Sequence, residues 1–269
     1  MSSIETHYSA SDIENRIILG LRAAGLNPEE ILSPEQISAL DHFHTGGVAS
    51  SLALIELASI KPGHRVLDIG AGLAGCARLI AHGTGCQVVC IELSADYCVG
   101  ATLLNRITAL EDQINIHQGS VLELPFTDAA FDVVWMQNVG MNIEDKAELY
   151  AQTARVLKPG GRFAFQDMSA GSENVTLEYP LPWASVAAEN HLVTLKMMQT
   201  LIEDGGLTPQ LIEDISDVDF SISTSNATPA AAGEPGLAVY VDDLGTKAAN
   251  ASHSMQAGDI RLVRGIFSR

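Results

Sequence analysis

A glycine-rich turn between two apolar segments constrains this chain more than any other feature. Residues 66–69 read Val-Leu-Asp-Ile, residues 70–75 read Gly-Ala-Gly-Leu-Ala-Gly, and residues 88–92 read Val-Val-Cys-Ile-Glu. Residues 76–81 between them can open a helix. The pattern therefore predicts a strand, a glycine turn, a helix and a second strand that ends in an acid.

The same turn predicts a nucleotide or nucleoside pocket. Glycines let the chain turn tightly and bring backbone amides against a ligand. Glu92 follows Gly75 by 17 residues, at the tip of the second strand, where a carboxylate can hold both hydroxyls of a ribose. NAD, FAD and S-adenosylmethionine are all bound by such a pattern, so other residues must decide the ligand.

Asp68 favours one of these ligands. A dinucleotide places its pyrophosphate at the helix N-terminus, where a carboxylate two residues before Gly70 would repel the negative charge. S-adenosylmethionine has no phosphate, and its ammonium group is attracted by a nearby carboxylate. This residue shifts the interpretation toward methyl transfer.

Later segments repeat the alternation of strands and helices, and several of them match a known family. Strands are predicted at 113–118, 131–136 and 162–166. On residues 66–72, 124–126, 131–135 and 154–161, the last reading Ala-Arg-Val-Leu-Lys-Pro-Gly-Gly, the chain resembles the class I S-adenosylmethionine-dependent methyltransferases over about residues 40–168.

This resemblance implies an α/β fold with a Rossmann-like, mostly parallel sheet of seven strands and helices on both faces. It also implies an N-terminal helical cap at 1–48 and a methyltransferase domain at 49–269, with its cofactor-binding core at 49–168 and an inserted lid at about 169–205. Helices are predicted at 12–24 and 189–203, the last strands at 210–215 and 260–267, and a loop at 221–236.

Within that family the chain resembles the small-molecule branch, which includes ubiquinone and menaquinone C-methylases and sarcosine and dimethylglycine N-methylases. Residues 41–47 and 141–146 carry this likeness. The family places an acid after Gly119 to bind the adenine amino group, whereas this chain has Ser120. A hydroxyl and the Val121 amide are expected to take that role.

The implied site has a cofactor side and an acceptor side. The residues expected to contact S-adenosylmethionine, and S-adenosylhomocysteine as its product, are Asp68, Gly70, Ala71, Gly72, Glu92, Leu93, Ser120, Val121 and Gln137. The residues expected to contact the acceptor are Phe43, Met141, Asn142, Tyr179 and Trp183. His44 or His191 is the candidate base, because an imidazole titrates near neutral pH; Met197 and Met198 are assigned to the core or the lid.

Composition excludes several other classes of protein. A net charge of -18 argues against a nucleic-acid partner, since such binding relies on Lys and Arg. No apolar run approaches the roughly 20 residues that cross a bilayer, and residues 1–11 do not look like a signal peptide. We therefore expect a cytoplasmic protein without membrane insertion, with a homo-oligomer left open.

The cysteines and histidines give no metal site by spacing. Cys76, Cys86, Cys90 and Cys98 contain no CxxC pair and are expected to be small buried hydrophobic residues. His42 and His44 have no acidic or Cys partner at ligand spacing. No metal is predicted.

Three functions remain open from the sequence. The first is methyl transfer to a small-molecule N, O or C acceptor by direct in-line displacement. The second is an NAD-dependent oxidoreductase, which leaves Asp68 and residues 155–161 unexplained. The third is a non-catalytic nucleoside-binding module of the same fold, which the change at Ser120 keeps in play.

Overall fold

The computed structural model describes residues 12–42, 44–218 and 243–269. Helices in these ranges are α1 Ile13–Ala23, α2 Pro34–Asp41, α3 Gly47–Ala58, α4 Gly75–Thr84, α5 Ala95–Ile107, α6 Lys146–Val156, α7 Leu195–Asp204 and α8 Leu244–Ala257. Strands are β1 Arg65–Ile69, β2 Gln87–Glu92, β3 Ile114–Gln118, β4 Phe131–Gln137, β5 Leu157–Ala170, β6 Thr208–Asp214 and β7 Ile260–Ser268. Phe43 and the loop predicted at 221–236 lie outside the described residues.

The seven strands form one mixed sheet in the order β3-β2-β1-β4-β5-β7-β6. Strands β1 to β5 pair in parallel, and β7 runs antiparallel to both β5 and β6. The order reverses between β1 and β4, which is the switch point where open α/β sheets bind ligands. The predicted seven-stranded, mostly parallel fold is confirmed.

Both faces of the sheet are buried. Alternate residues of a strand point to opposite faces, and each face packs against its own apolar cluster. Leu67 and Ile69 of β1 belong to an apolar cluster that includes Tyr150 of α6. Val66 belongs to a second cluster that includes Ile80 of α4. This explains why the parallel strands read as nearly continuous apolar runs rather than as alternating ones.

The predicted strands and the helix at 12–24 are confirmed within a few residues, but the helix predicted at 189–203 begins later. Helix α7 starts at Leu195, where the Thr194 side chain caps it by accepting from the Met197 amide. Residues Ala187–Glu189 form only a short 3-10 turn. A local cap thus sets a start that apolar periodicity placed six residues too early.

The position of helix α7 also corrects the bounds of the insertion predicted at 169–205. Met198 and Ile202 are buried in the cluster against the sheet, so this helix is part of the core and not of a lid. Met197, in contrast, is exposed, which corrects its assignment to the core or lid. The segment left to cover the strand ends is 171–194.

The N-terminal helices pack beside the glycine turn. Ile13, Ile17 and Leu21 of α1 share a buried cluster with Leu73 of the turn and Leu104 of α5. This contact places the cap region next to the predicted cofactor pocket, while its boundary at residue 48 stays a prediction. None of the helices in the described ranges is both long and apolar enough to cross a membrane.

Candidate functional site

A cavity of about 620 Å³ opens at the carboxyl ends of β1, β2 and β4. Its volume lies in the range of small-molecule sites. The structure brings all the residues predicted on the cofactor side to its wall, namely Asp68, Gly70, Ala71, Gly72, Glu92, Leu93, Ser120, Val121 and Gln137. Residues far apart in sequence therefore meet at one edge of the sheet.

The glycine turn adopts the backbone that its sequence predicts. Gly70 and Gly72 have φ of 68° and 56°, a left-handed conformation that glycine adopts without steric cost. The amides of Gly70 and Ala71 donate to the Ile91 carbonyl at 2.8 and 3.2 Å. These bonds fix the turn to the neighbouring strand.

Glu92 is held in place by backbone amides. Its Oε2 accepts from the Gly72 amide and its Oε1 from the Ser94 amide, each at 2.8 Å. Burial raises the pKa of this carboxyl, although the amide bonds act in the opposite direction. The arrangement orients a carboxylate at the cavity before any ligand binds.

Asp68 lies buried behind the turn with an unsatisfied oxygen. Its Oδ2 has no hydrogen-bond partner among the described residues. Burial and the nearby Glu92 charge raise its pKa to about 8, while Arg78 acts in the opposite direction. A buried carboxyl group without a partner is costly when ionised, and a cationic ligand group is what would stabilise it.

A polar network lies at the end of β4. Gln137 Oε1 accepts from Ser51 Oγ at 3.0 Å and from Cys76 Sγ at 2.8 Å. His44 Nε2 lies 2.9 Å from Ser51 Oγ and 3.1 Å from the Gly47 carbonyl. Because a carbonyl only accepts, we assign the proton to Nε2. Burial lowers the pKa of His44 to about 3, so its ring is neutral.

The structure corrects the sequence argument about metal ligands. Cys76 brings its sulfur to within 4.8 Å of ring nitrogens of His42 and His44, so a third ligand-type residue is present that spacing did not reveal. Cys76 Sγ, however, already donates a hydrogen bond to Gln137 Oε1, and burial raises the pKa of its thiol. The side chains of this network are therefore joined by hydrogen bonds between neutral groups.

The predicted acceptor residues divide into two groups. Met141, Asn142 and Trp183 line the cavity, and Trp183 Nε1 donates to Asn190 Oδ1 at 2.8 Å. Tyr179 does not line it and instead hydrogen-bonds to Asn190. The sequence did not show that Asn190 forms hydrogen bonds with the side chains of both Tyr179 and Trp183.

His191 is not placed as predicted either. It is absent from the residues that line the cavity, and its backbone amide donates to the Met141 carbonyl at 3.0 Å. This bond joins segment 171–194 to the turn after β4. The prediction that His191 is a base at the acceptor is corrected, while His44 does line the cavity.

Residues 67–165 match the family model described as a methyltransferase domain. This part of the chain is similar to methyltransferase domains. It spans β1 through most of β5 and therefore includes the glycine turn, Glu92 and Gln137. The resemblance read from the sequence is confirmed for this core.

Two relatives of this core are named as N-methyltransferases of glycine derivatives. A glycine/sarcosine/dimethylglycine N-methyltransferase of Actinopolyspora halophila is 40% identical over 111 residues, covering 41% of this chain and 20% of the relative. A dimethylglycine N-methyltransferase of Parasynechococcus marenigrum is 37% identical over 131 residues, covering 48% and 47%. The aligned segments thus span less than half of either relative's length.

A solved structure agrees over the whole chain. Geranyl diphosphate C-methyltransferase from Streptomyces coelicolor, in complex with Mg²⁺, a geranyl thiolodiphosphate and S-adenosylhomocysteine, superposes with a TM-score of 0.67 at 18% identity. The match covers 100% of this chain and 98% of that one. At such identity the agreement shows the fold.

Two further parts of the candidate site were missed by sequence reasoning. Helix α8 contributes Leu244, Ala248, Ala251 and Met255 to the cavity wall. Their spacing of four, three and four residues is helical, so apolar periodicity was the signal that could have found this helix. The second part is a buried acid and lysine beneath the turn at Gly140–Asn142.

That acid is Asp167, near the end of β5. Its Oδ2 accepts from the Gly140 amide at 2.7 Å, and its Oδ1 from the Met168 amide at 2.8 Å. Lys146 Nζ donates to the carbonyls of Gly140 and Ile143 at 2.8 and 2.7 Å. The pair fixes the turn that presents Met141 to the cavity, and no local sequence pattern signals it.

Proposed function

We propose that this chain is an S-adenosylmethionine-dependent methyltransferase that moves a methyl group to a small-molecule N, O or C acceptor by direct in-line displacement. The observation that carries the proposal is Asp68, a buried carboxyl group with an unsatisfied oxygen behind a glycine turn and beside Glu92. A nucleoside that also carries an ammonium group would satisfy both acids. A pyrophosphate would be repelled by the ionised form of either acid.

Each predicted cofactor residue has a role that fits its position. Glu92 would hold the ribose hydroxyls and Asp68 the ammonium group. Gln137, whose Nε2 has no partner among the described residues, would donate to the methionine end. Val121 and the Ser120 hydroxyl, whose Oγ already accepts from the Leu122 amide at 3.1 Å, would contact the adenine.

When bound, S-adenosylmethionine supplies a methyl group activated by its sulfonium. The residues of this chain then have to hold the acceptor in line with that methyl group and exclude water. Orientation of this kind contributes about 7 to 11 kcal/mol in well-aligned systems. A pKa of about 3 makes His44 a poor proton acceptor near neutral pH, so we assign it a positioning role through Ser51.

Calorimetry and thermal shift with S-adenosylmethionine, S-adenosylhomocysteine and NAD test the cofactor. Ligand at 100 times its dissociation constant stabilises a fold by about 2.7 kcal/mol. We expect both adenosyl compounds to bind, NAD to have no effect, and Glu92→Ala to lose the affinity. Glu123→Ala is the control, because Glu123 is exposed and does not line the cavity.

If only NAD binds, the methyltransferase proposal is wrong and the oxidoreductase alternative replaces it. If the adenosyl compounds bind but no acceptor in a panel of amines, phenols and quinols receives a labelled methyl group, a non-catalytic nucleoside-binding role is supported. A cytoplasmic location and a homo-oligomer stay predictions.

A further inference from the structure

We propose that the acceptor of this site is an uncharged, largely apolar small molecule with a single polar reacting group. This inference rests on the proposed function and defines its substrate class. It is carried by the wall of the cavity opposite the glycine turn, which combines one face of α8 with side chains after β4 and β5.

Helix α8 presents a continuous apolar face to the cavity. Leu244, Ala248, Ala251 and Met255 all line it, and their spacing places them on one side of the helix. The small Ala248 and Ala251 side chains leave room between the larger ones. The face is thus shaped to contact a ligand surface without offering it a hydrogen bond.

The facing wall is mainly apolar and is rich in methionine, with Asn142 as a polar residue within it. Met141, Ile143, Met168 and Trp183 line it, and the Trp183 ring nitrogen is already bonded to Asn190. Methionine is flexible and polarizable, and it adapts to irregular apolar shapes. Together with Met255 of α8, these side chains suit a ring system or branched chain rather than a small zwitterion.

The described lining of the cavity offers no Lys or Arg to an anionic acceptor. Residues 1–11, 43 and 219–242 contain neither Lys nor Arg. A carboxylate or phosphate removed from water without a counter-charge is strongly disfavoured.

A cationic acceptor is also poorly matched. Among the described lining residues, the acids are Asp41, Asp68 and Glu92, and the last two border the glycine turn that the cofactor would occupy. A quaternary or protonated amine is otherwise held by several aromatic faces. The described lining contains Trp183 and Tyr97 as such rings, and Tyr97 shares a buried cluster with Leu73 of the glycine turn, so Trp183 is the ring left for the acceptor wall.

The test uses the full chain saturated with S-adenosylhomocysteine and the neutral fluorescent probe N-phenyl-1-naphthylamine. Two neighbouring alanines of α8 provide matched variants, because both are exposed but only Ala248 lines the cavity. We expect saturable probe binding that Ala248→Phe weakens by about tenfold and Ala249→Phe changes by less than about twofold. The affinity of each variant for S-adenosylhomocysteine serves as the folding control.

A methyl-transfer assay completes the test, with dimethylglycine and phosphoethanolamine as acceptors that carry a carboxylate or a phosphate group. We expect neither to be methylated. Turnover of either one, equal probe affinity in both variants, or a lack of saturable probe binding by protein that binds S-adenosylhomocysteine would overturn the inference alone. If S-adenosylhomocysteine itself does not bind, the proposed function is overturned, and this inference with it.

Discussion

The Arg78 guanidinium donates from Nε and Nη2 to Asp41 Oδ2, at 3.2 and 2.7 Å, in a fully buried ion pair. Arg78 lies in α4, directly after the glycine turn, and also donates to the Leu73 carbonyl and to Asn105. Asp41 ends α2 of the cap. A Cβ added at Gly75 would overlap the Asp41 carbonyl oxygen. The cap is therefore locked to the turn that forms the cofactor pocket.

Removing either partner of this pair should destabilise the fold by about 3 to 5 kcal/mol. The losses caused by the two substitutions should depend differently on pH. Burial raises the pKa of Asp41, and Arg78 opposes this shift. In Arg78→Met, Asp41 can take up a proton, so the loss should shrink as pH falls. In Asp41→Asn, Arg78 stays charged and the loss should not shrink. Urea unfolding of both variants at pH 5.5 and 8 measures this, and identical pH profiles would contradict it.

Cofactor binding should release a proton from Asp68. Its pKa of about 8 keeps the carboxyl group mainly protonated at pH 7, and a bound ammonium group would favour the ionised form. Calorimetry of S-adenosylhomocysteine at pH 7, in buffers of different ionisation enthalpy, should report release of up to about one proton. In Asp68→Asn this dependence on buffer should vanish and the affinity should fall.

The same shift has a consequence for the protein without ligand. The folded-state pKa of Asp68 is raised above the unfolded value of 3.8, so its contribution to the free energy of unfolding falls as pH rises from about 4 to about 8. Asp68→Asn should remove that slope and leave the unliganded protein at least as stable at pH 8. A variant less stable than wild type at pH 8 would show that the carboxylate has a partner.

Gly70→Ala should be far more damaging than Gly63→Ala. Both glycines have positive φ, 68° and 86°, so each substitution carries a backbone cost of about 1 to 2 kcal/mol. At Gly70 the new Cβ would also lie 2.6 Å from a Val139 methyl group, whereas at Gly63 nothing lies within 4 Å. Thermal unfolding compares the pair, and Val139→Ala in the Gly70→Ala background should recover the steric part.

Asp167→Asn should loosen the turn at Gly140–Asn142. An amide oxygen cannot replace both carboxylate oxygens, which accept from Gly140 and Met168, and the amide nitrogen would face a donor. We expect the free energy of unfolding to fall by about 1 to 3 kcal/mol. Binding of N-phenyl-1-naphthylamine should weaken, and the affinity for S-adenosylhomocysteine should stay nearly unchanged. Asp132→Asn, at a partly exposed ion pair with Lys158, is the control and should cost less than about 1 kcal/mol.

The cofactor half of the site could be predicted from local sequence. The glycine turn, Asp68 and Glu92 lie in one βαβ unit, where the spacing of glycines and acids is tied to the geometry of the turn. Gln137 could be placed because the end of a parallel strand returns to the same edge of the sheet. These residues needed only the periodicity of the strands and the resemblance of the core.

The acceptor half could not be predicted in the same way. Tyr179 and His191 were proposed because of their residue type and their place in the predicted insertion, and the fold of segment 171–194 places neither at the cavity. Helix α8 went unnoticed because its apolar face is built partly of alanines. Asp167 and Lys146 are polar residues in apolar surroundings, and their partners are backbone groups that no side-chain pattern reveals.

The sequence by itself determined the order of the strands along the chain, the glycine turn and the acids around it, because these depend on contacts between residues close in the chain. Only the tertiary structure decided which cap residue pairs with Arg78, which histidine reaches the cavity and what lines the acceptor wall. Such contacts can join segments more than a hundred residues apart, as when Gln166 donates to the Thr45 carbonyl across 121 residues. Side-chain burial and unsatisfied polar atoms exist only once such segments have packed.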